Sequence, residues 1–147
     1  MNDLRDLYQS VILDHYKKPR NYGALSGATG SAEGVNPLCG DHVTVHVRVD
    51  GETVAGVGFE GNGCAISKAS ASLMTEIVAG RSVAETEAIF ARFHDLVTGG
   101  EVETDGLGKL EVLSGVREFP ARVKCATLAW HALRAAIAGG AAEVTTE

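Results

Sequence analysis

His42-Val43-Thr44-Val45-His46-Val47-Arg48-Val49-Asp50-Gly51 alternates valine with polar residues and ends in a turn dipeptide. Period-two alternation puts the four valines on one face of a strand and Thr44, His46 and Arg48 on the other, and Asp-Gly signals a tight hairpin. The partner strand is expected over residues 53–60, which carry Val54, Val57 and Phe59 before Gly61-Asn62-Gly63. A sheet with one apolar face needs a cover, and the flanking sequence supplies helices. Leu4, Leu7, Tyr8, Val11 and Ile12 recur at helical spacing, with Asn2 as N-cap and Pro19 ending the run, so residues 3–18 read as an amphipathic helix. A second helical pattern, Ile66, Ala69, Ser70, Leu73, Met74 and Ile77, follows Cys64 and is closed by Gly80. Ser82-Val83-Ala84-Glu85 reads as a capping box opening a third helix, whose stripe is Ile89, Phe90, Phe93, Leu96 and Val97. Pro120 suits the first turn of a last helix with Val123, Ala126, Trp130, Leu133 and Ile137 as its stripe and Gly139-Gly140 as its stop. Residues 21–35, with Gly23, Gly27, Gly30 and Gly34, have loop composition and are expected to be mobile. Residues 98–116 read as an irregular insertion and 141–147 as a frayed tail. The expected fold is therefore one α+β domain over residues 1–147, a small antiparallel sheet with helices covering its valine face.

Composition narrows the function. The 147 residues carry 13 Lys+Arg against 19 Asp+Glu, a formal net charge of −6, and only 5% are aromatic. At this length a chain buries about 68–70% of the surface its unfolded form exposes, so the core needs no disulfide or metal to hold it. An acidic, aromatic-poor chain offers neither a cationic footprint for duplex DNA nor a stacking platform for single strands, so no nucleic-acid partner is expected. No apolar run approaches the roughly 20 residues of a membrane helix, and Asp3, Arg5 and Asp6 stand where a signal peptide would be apolar. The expected location is the cytoplasm, away from the membrane.

Three cysteines, Cys39, Cys64 and Cys125, direct attention to metal or thiol chemistry, because an odd number cannot all pair in a disulfide scheme. Each sits at an element boundary: Cys39 in Asn36-Pro37-Leu38-Cys39-Gly40-Asp41 entering a strand, Cys64 starting a helix, and Cys125 in the first turns of the last helix. Helix N-termini favour the thiolate, the form that binds metal and attacks sulfur. No Cys-x-x-Cys pair is present, so zinc-ribbon and thioredoxin-like patterns do not apply. Three thiolates on one zinc ion leave a fourth tetrahedral position, with Asp41, His42, His15, His46, His94 and His131 as candidates. Strand parity places Asp41 with Val43 and Val45 toward the helix-covered face and His42 with Thr44 and His46 away from it. Asp41 is the first choice and His42 the runner-up, since parity can break near a turn. Three thiolates and a carboxylate on Zn²⁺ would leave negative charge, which a cation would complement. Arg122 lies three residues before Cys125 on the same helical face.

The chain resembles the SufU-type zinc-dependent sulfur acceptors within the IscU-like, NifU N-terminal-like family of iron–sulfur cluster assembly proteins. The motifs that carry the resemblance are Asp14-His15-Tyr16-Lys17-Lys18-Pro19-Arg20-Asn21, Asn36-Pro37-Leu38-Cys39-Gly40-Asp41, Gly63-Cys64-Ala65-Ile66-Ser67 and Phe119-Pro120-Ala121-Arg122-Val123-Lys124-Cys125-Ala126. Lys124 stands where the scaffold branch carries a histidine, and residues 98–116 match an insertion of the SufU-type branch. The resemblance implies a zinc site of Cys39, Asp41, Cys64 and Cys125 with Arg122 beside it. It implies a zinc-dependent sulfurtransferase in which Cys39 takes persulfide sulfur from a PLP-dependent, SufS-type cysteine desulfurase and a downstream iron–sulfur scaffold receives it. The alternative is a scaffold that assembles an iron–sulfur cluster on the same cysteines.

Overall fold

The computed structural model describes residues 3–37, 40–100, 107–139 and 143–145. The alternating stretch forms β2 (Asp41–Asp50), with Val43, Val45 and Val47 buried beneath helices as their spacing demands. β3 (Thr53–Asn62) pairs with it antiparallel, Phe59 opposite Val45 and Val57 opposite Val47, and a register shift falls between Arg48 and Val49. The sheet has four strands in the order β3-β2-β1-β4, helices α1 (Asp3–Lys17), α2 (Ala65–Val78), α3 (Val83–Thr98) and α4 (Pro120–Ile137) complete an α+β fold, and α4 rests directly on β1 and β2. Each fully buried valine or leucine contributes about 1.5–3 kcal/mol relative to an exposed one, so the covered valine face is the main reason the helices stay on the sheet. The capping box of α3 is formed, Ser82 accepting from Glu85 N–H and Glu85 accepting from Ser82 N–H. Among the described residues no helix is long and apolar enough to cross a membrane. The N-cap expected at Asn2 lies outside the described residues.

Four expectations are corrected. Residues 30–35, read as part of a mobile loop, belong to strand β1 (Gly30–Asn36), antiparallel to β2. The glycines that made the stretch look like a loop are there because α4 lies against it. A Cβ on Gly30 would sit 2.1 Å from the Ala136 carbonyl oxygen, and one on Gly34 3.1 Å from Leu128 Cδ1. The supposed frayed tail contributes β4 (Glu143–Thr145), parallel to β1. Within the supposed irregular insertion, α3 continues through Thr98 and Gly108–Glu118 is a 3-10 helix that buries Leu110, Val112, Leu113 and Val116; residues 101–106 lie outside the described residues. Finally, α4 is not buried along one stripe only. Cys125 to Trp130 are all buried, because the helix is wedged between the sheet, α2 and α3. Trp130 stacks on Phe90 and Phe93 at 5.8 and 5.0 Å, and its Nε1 donates to Ser70 Oγ.

His15, from α1, is buried against α2, where its Nδ1 lies 2.7 Å from Ser72 Oγ. Among the described residues its Nε2 has no hydrogen-bond partner, and it stands 3.6 Å from Glu76 Oε1. Burial is the main cause that holds its pKa below the usual histidine value; Arg20 and Lys109 act in the same direction, whereas Glu76 and Asp14 oppose them. The unfolded chain therefore binds this proton more readily than the folded one. Stability is full above about pH 6.5 and declines as pH falls from there toward the lower folded value, with a slope of at most about 1.4 kcal/mol per pH unit. Urea midpoints between pH 5 and 8 should fall more steeply on acidification for the wild type than for His15→Gln, and parallel curves would contradict the assignment.

Candidate metal centre

Asp41, Cys64 and Cys125 are 23 and 61 residues apart in sequence and meet at one end of the sheet. Asp41 is the first residue of β2, Cys64 is the N-cap of α2, and Cys125 lies in the second turn of α4. One ligand atom from each, a carboxylate oxygen and two Sγ, all lie within 4.8 Å of one another. Asp41 and Cys125 are 1% and 2% exposed, and Cys64 is the accessible member.

Local structure fixes each group. Strand parity turns Asp41 inward, where Oδ1 accepts from the Cys64 N–H at 2.9 Å and Oδ2 lies 3.8 Å from Cys64 Sγ. As N-cap, Cys64 Sγ accepts the Ser67 N–H at 3.4 Å, the role usually filled by a serine or aspartate oxygen, at a helix end that favours negative charge. Gly63 allows the approach, since a Cβ there would lie 3.1 Å from Asp41 Oδ1. Asn36 Nδ2 donates to Cys125 Sγ at 3.5 Å. Among the described residues no lysine or arginine pairs with Asp41. A buried carboxylate beside two thiols is costly without a compensating cation, and sulfur with carboxylate oxygen is a donor set that zinc or iron accepts.

The histidine candidates lie elsewhere. His42 points to the outer face and pairs with Glu33 at 2.8 Å. His46 bridges Ser31 and Glu60 across the strands. His15 is held by Ser72, and His94 and His131 pack edge-on against Phe90. Cys39 lies outside the described residues, in the connection between β1 and β2. Arg122 is exposed, its guanidinium 4.9 Å over the Phe119 ring.

Cys64, Cys125 and Arg122 open on a common cavity of about 790 Å³ between α1, the 3-10 helix and the first turns of α2 and α4, with Ile12, Ile66 and Phe119 in its walls. Leu13 and Phe119, two of the large hydrophobic residues left exposed, line it, and two others, Tyr16 and Tyr22, flank Lys68, whose Nζ stands 5.7 and 5.2 Å from their rings. Sequence reasoning missed Asn36 and these tyrosines. Asn36 stands out only once β1 is known, since the β1–β2 register sets it opposite Asp41.

The NifU-like N-terminal domain family matches residues 7–126. The chain is 43% identical over 137 residues to the zinc-dependent sulfurtransferase SufU of Bacillus subtilis, covering 92% of each protein. It is 42% identical over 138 residues to the iron–sulfur cluster assembly scaffold protein IscU of Streptococcus pyogenes serotype M1, covering 93% of this chain and 86% of that one. A solved structure from Fervidobacterium islandicum AW-1, named for iron–sulfur cluster assembly scaffolding in the SUF system, superposes with a TM-score of 0.84 at 34% identity over 90% of this chain and 98% of the other.

Proposed function

The chain belongs to the NifU-like N-terminal domain family, and we propose that it is a cytoplasmic sulfur acceptor for iron–sulfur cluster assembly. In this reading Cys39, Asp41, Cys64 and Cys125 hold a zinc ion, and Cys39 takes sulfur from the persulfide of a PLP-dependent, SufS-type cysteine desulfurase and delivers it to a downstream scaffold. The observation that carries it is the convergence of a buried carboxylate and two sulfurs within 4.8 Å, beside the connection that bears the third cysteine. The name of the Bacillus relative supports both zinc and sulfur transfer.

Zinc, when bound, keeps its sulfur ligands deprotonated at neutral pH and is redox-inert. The transfer itself is thiol exchange. The Cys39 thiolate attacks the terminal sulfur of the desulfurase persulfide, a new S–S bond forms at Cys39 as the old one breaks, and the desulfurase cysteine leaves as a thiolate. No external oxidant or reductant is consumed. Cys39 is assigned the role rather than its partners because Cys64 caps α2 and Cys125 is packed inside α4, whereas Cys39 falls in sequence between the end of β1 and the start of β2. Arg122, which lines the shared cavity, would attract the anionic sulfur donor.

Incubation with a cysteine desulfurase and cysteine should put a persulfide on Cys39, read by intact-protein mass spectrometry with peptide mapping, and should raise desulfurase turnover. Arg122→Ala should slow the transfer while leaving zinc content near wild type. Persulfide confined to Cys64 or Cys125, or turnover unmoved by the wild-type protein, would overturn the proposal. A second reading, in which the same cysteines assemble a cluster, is favoured by the name of the Streptococcus relative. It predicts visible sulfur-to-iron absorption after anaerobic purification, where the zinc protein is colourless.

A further inference from the structure

We propose that Asn36 is a positioning residue for the sulfur of Cys125: its buried side-chain amide donates to Sγ and sets the direction and electron density with which that sulfur faces the metal. The inference rests on the metal centre proposed above and adds to it a residue outside the ligand set.

The placement follows from how α4 lies on β1. The helix runs antiparallel to the strand, and the contacts track along it. Gly30 meets the Ala136 carbonyl, Gly34 meets the Leu128 side chain, and Asn36 meets Cys125. Ala32, Gly34 and Asn36 share the inward face of β1, and Cys125 and Leu128, three residues apart, share one face of α4. Gly34 without a side chain lets the helix descend onto the strand. Two residues further, the strand offers an amide where the helix offers a sulfur. Asn36 is 1% exposed and its Nδ2 is 3.5 Å from Cys125 Sγ, with donor and acceptor 89 residues apart. The same residue accepts the Gly40 N–H on its carbonyl at 2.9 Å and stands opposite Asp41 in the strand register. One side chain and its backbone thus tie the sulfur on α4 to the start of β2, from which the carboxylate comes.

The chemistry of the contact is directional. A hydrogen bond to a charged acceptor is stronger than one between neutral groups, and partners that orient metal ligands typically change metal affinity 10- to 100-fold when removed. An amide N–H on a thiolate also withdraws electron density from the sulfur. Its removal leaves a more electron-rich ligand, which lowers the energy of sulfur-to-metal charge transfer.

The test uses Asn36→Ala, and Asn36→Val as an apolar side chain of closer volume that suits a strand. Metal-free protein is titrated with zinc against a chromophoric chelator, and a second sample is loaded with cobalt(II). Both variants should bind zinc at least about 10-fold more weakly, and the sulfur-to-cobalt absorption should move to longer wavelength. Zinc affinity within twofold of wild type in both variants would overturn the proposal. So would weakened affinity with an unmoved charge-transfer band, because that marks a packing role alone. Cys125→Ser is the control. If it binds zinc as tightly as the wild type, the metal centre itself is wrong, and the inference about Asn36 goes with it.

Discussion

Serine at Cys64 or at Cys125 should reduce copurifying zinc from about one ion per chain to a small fraction of that, measured by inductively coupled plasma mass spectrometry. Zinc gains far more from thiolate than from a hydroxyl, and each replacement removes one of the sulfurs that the fold brings within 4.8 Å of Asp41. Asp41→Ala should lose less zinc, since a hard carboxylate is the weakest of the proposed ligands, but the Cys64 N–H it accepts would lose its partner. His42→Ala should leave occupancy unchanged, because His42 lies on the opposite face in contact with Glu33. Chelating the metal should lower the melting temperature without unfolding the chain, as the valine face, Trp130 and the leucines of the 3-10 helix form a core independent of the site. Full occupancy in the Cys64→Ser protein would refute the ligand set, and an emptied site in His42→Ala would refute the strand-parity argument.

That parity could be argued from sequence at all shows which features of this chain are locally determined. The alternation of Val43, Val45 and Val47, the capping box at Ser82 and Glu85, and Pro120 at the start of α4 are each decided by residues within a few positions of one another, and each appears in the structure as expected. So does the inward turn of Asp41, one position from the alternating run. β1 was not legible, because the reason for Gly30 and Gly34 lies about a hundred residues away in α4. β4 was not legible either, since a three-residue strand carries almost no pattern of its own and exists by pairing with β1. The same limit hid Asn36. Its motif was visible and its neighbour Cys39 drew attention, but its partner is Cys125, which only the descent of α4 onto the strand brings close. Reassigning the glycine-rich stretch also changes the case for Cys39. The residues before it are not a mobile loop but a strand held between β2 and β4. In sequence Cys39 falls between Asn36, the last residue of β1, and Asp41, the first of β2.

Gly61→Ala should cost about 3 kcal/mol or more and empty the metal site together, whereas Gly80→Ala should cost about 1 kcal/mol and leave the site alone. Both glycines have positive φ, +139° and +84°, so both substitutions carry backbone strain. They differ in what surrounds them. Among the described residues a Cβ on Gly80 meets nothing within 4 Å, but one on Gly61 would lie 2.1 Å from the His42 carbonyl oxygen and 2.9 Å from Val43 Cα. Relief therefore requires β3 to move away from β2 at the pair Gly61 and Val43, next to the strand end where Asp41 begins. Cys64 is three residues beyond Gly61, and its N–H must stay 2.9 Å from Asp41 Oδ1 for the carboxylate and the sulfur to face one point. Moving β3 separates them. For a chain of this length 1 kcal/mol shifts the melting temperature by roughly 2–4 °C, so Gly61→Ala should melt about 6–12 °C lower and Gly80→Ala about 2–4 °C lower. Scanning calorimetry with zinc analysis on the same samples reads both quantities. Equal melting shifts for the two variants would mean that left-handed strain, not the close approach of β2, governs Gly61. Wild-type zinc content in Gly61→Ala would mean that the β2–β3 pairing does not set the distance between Asp41 and Cys64.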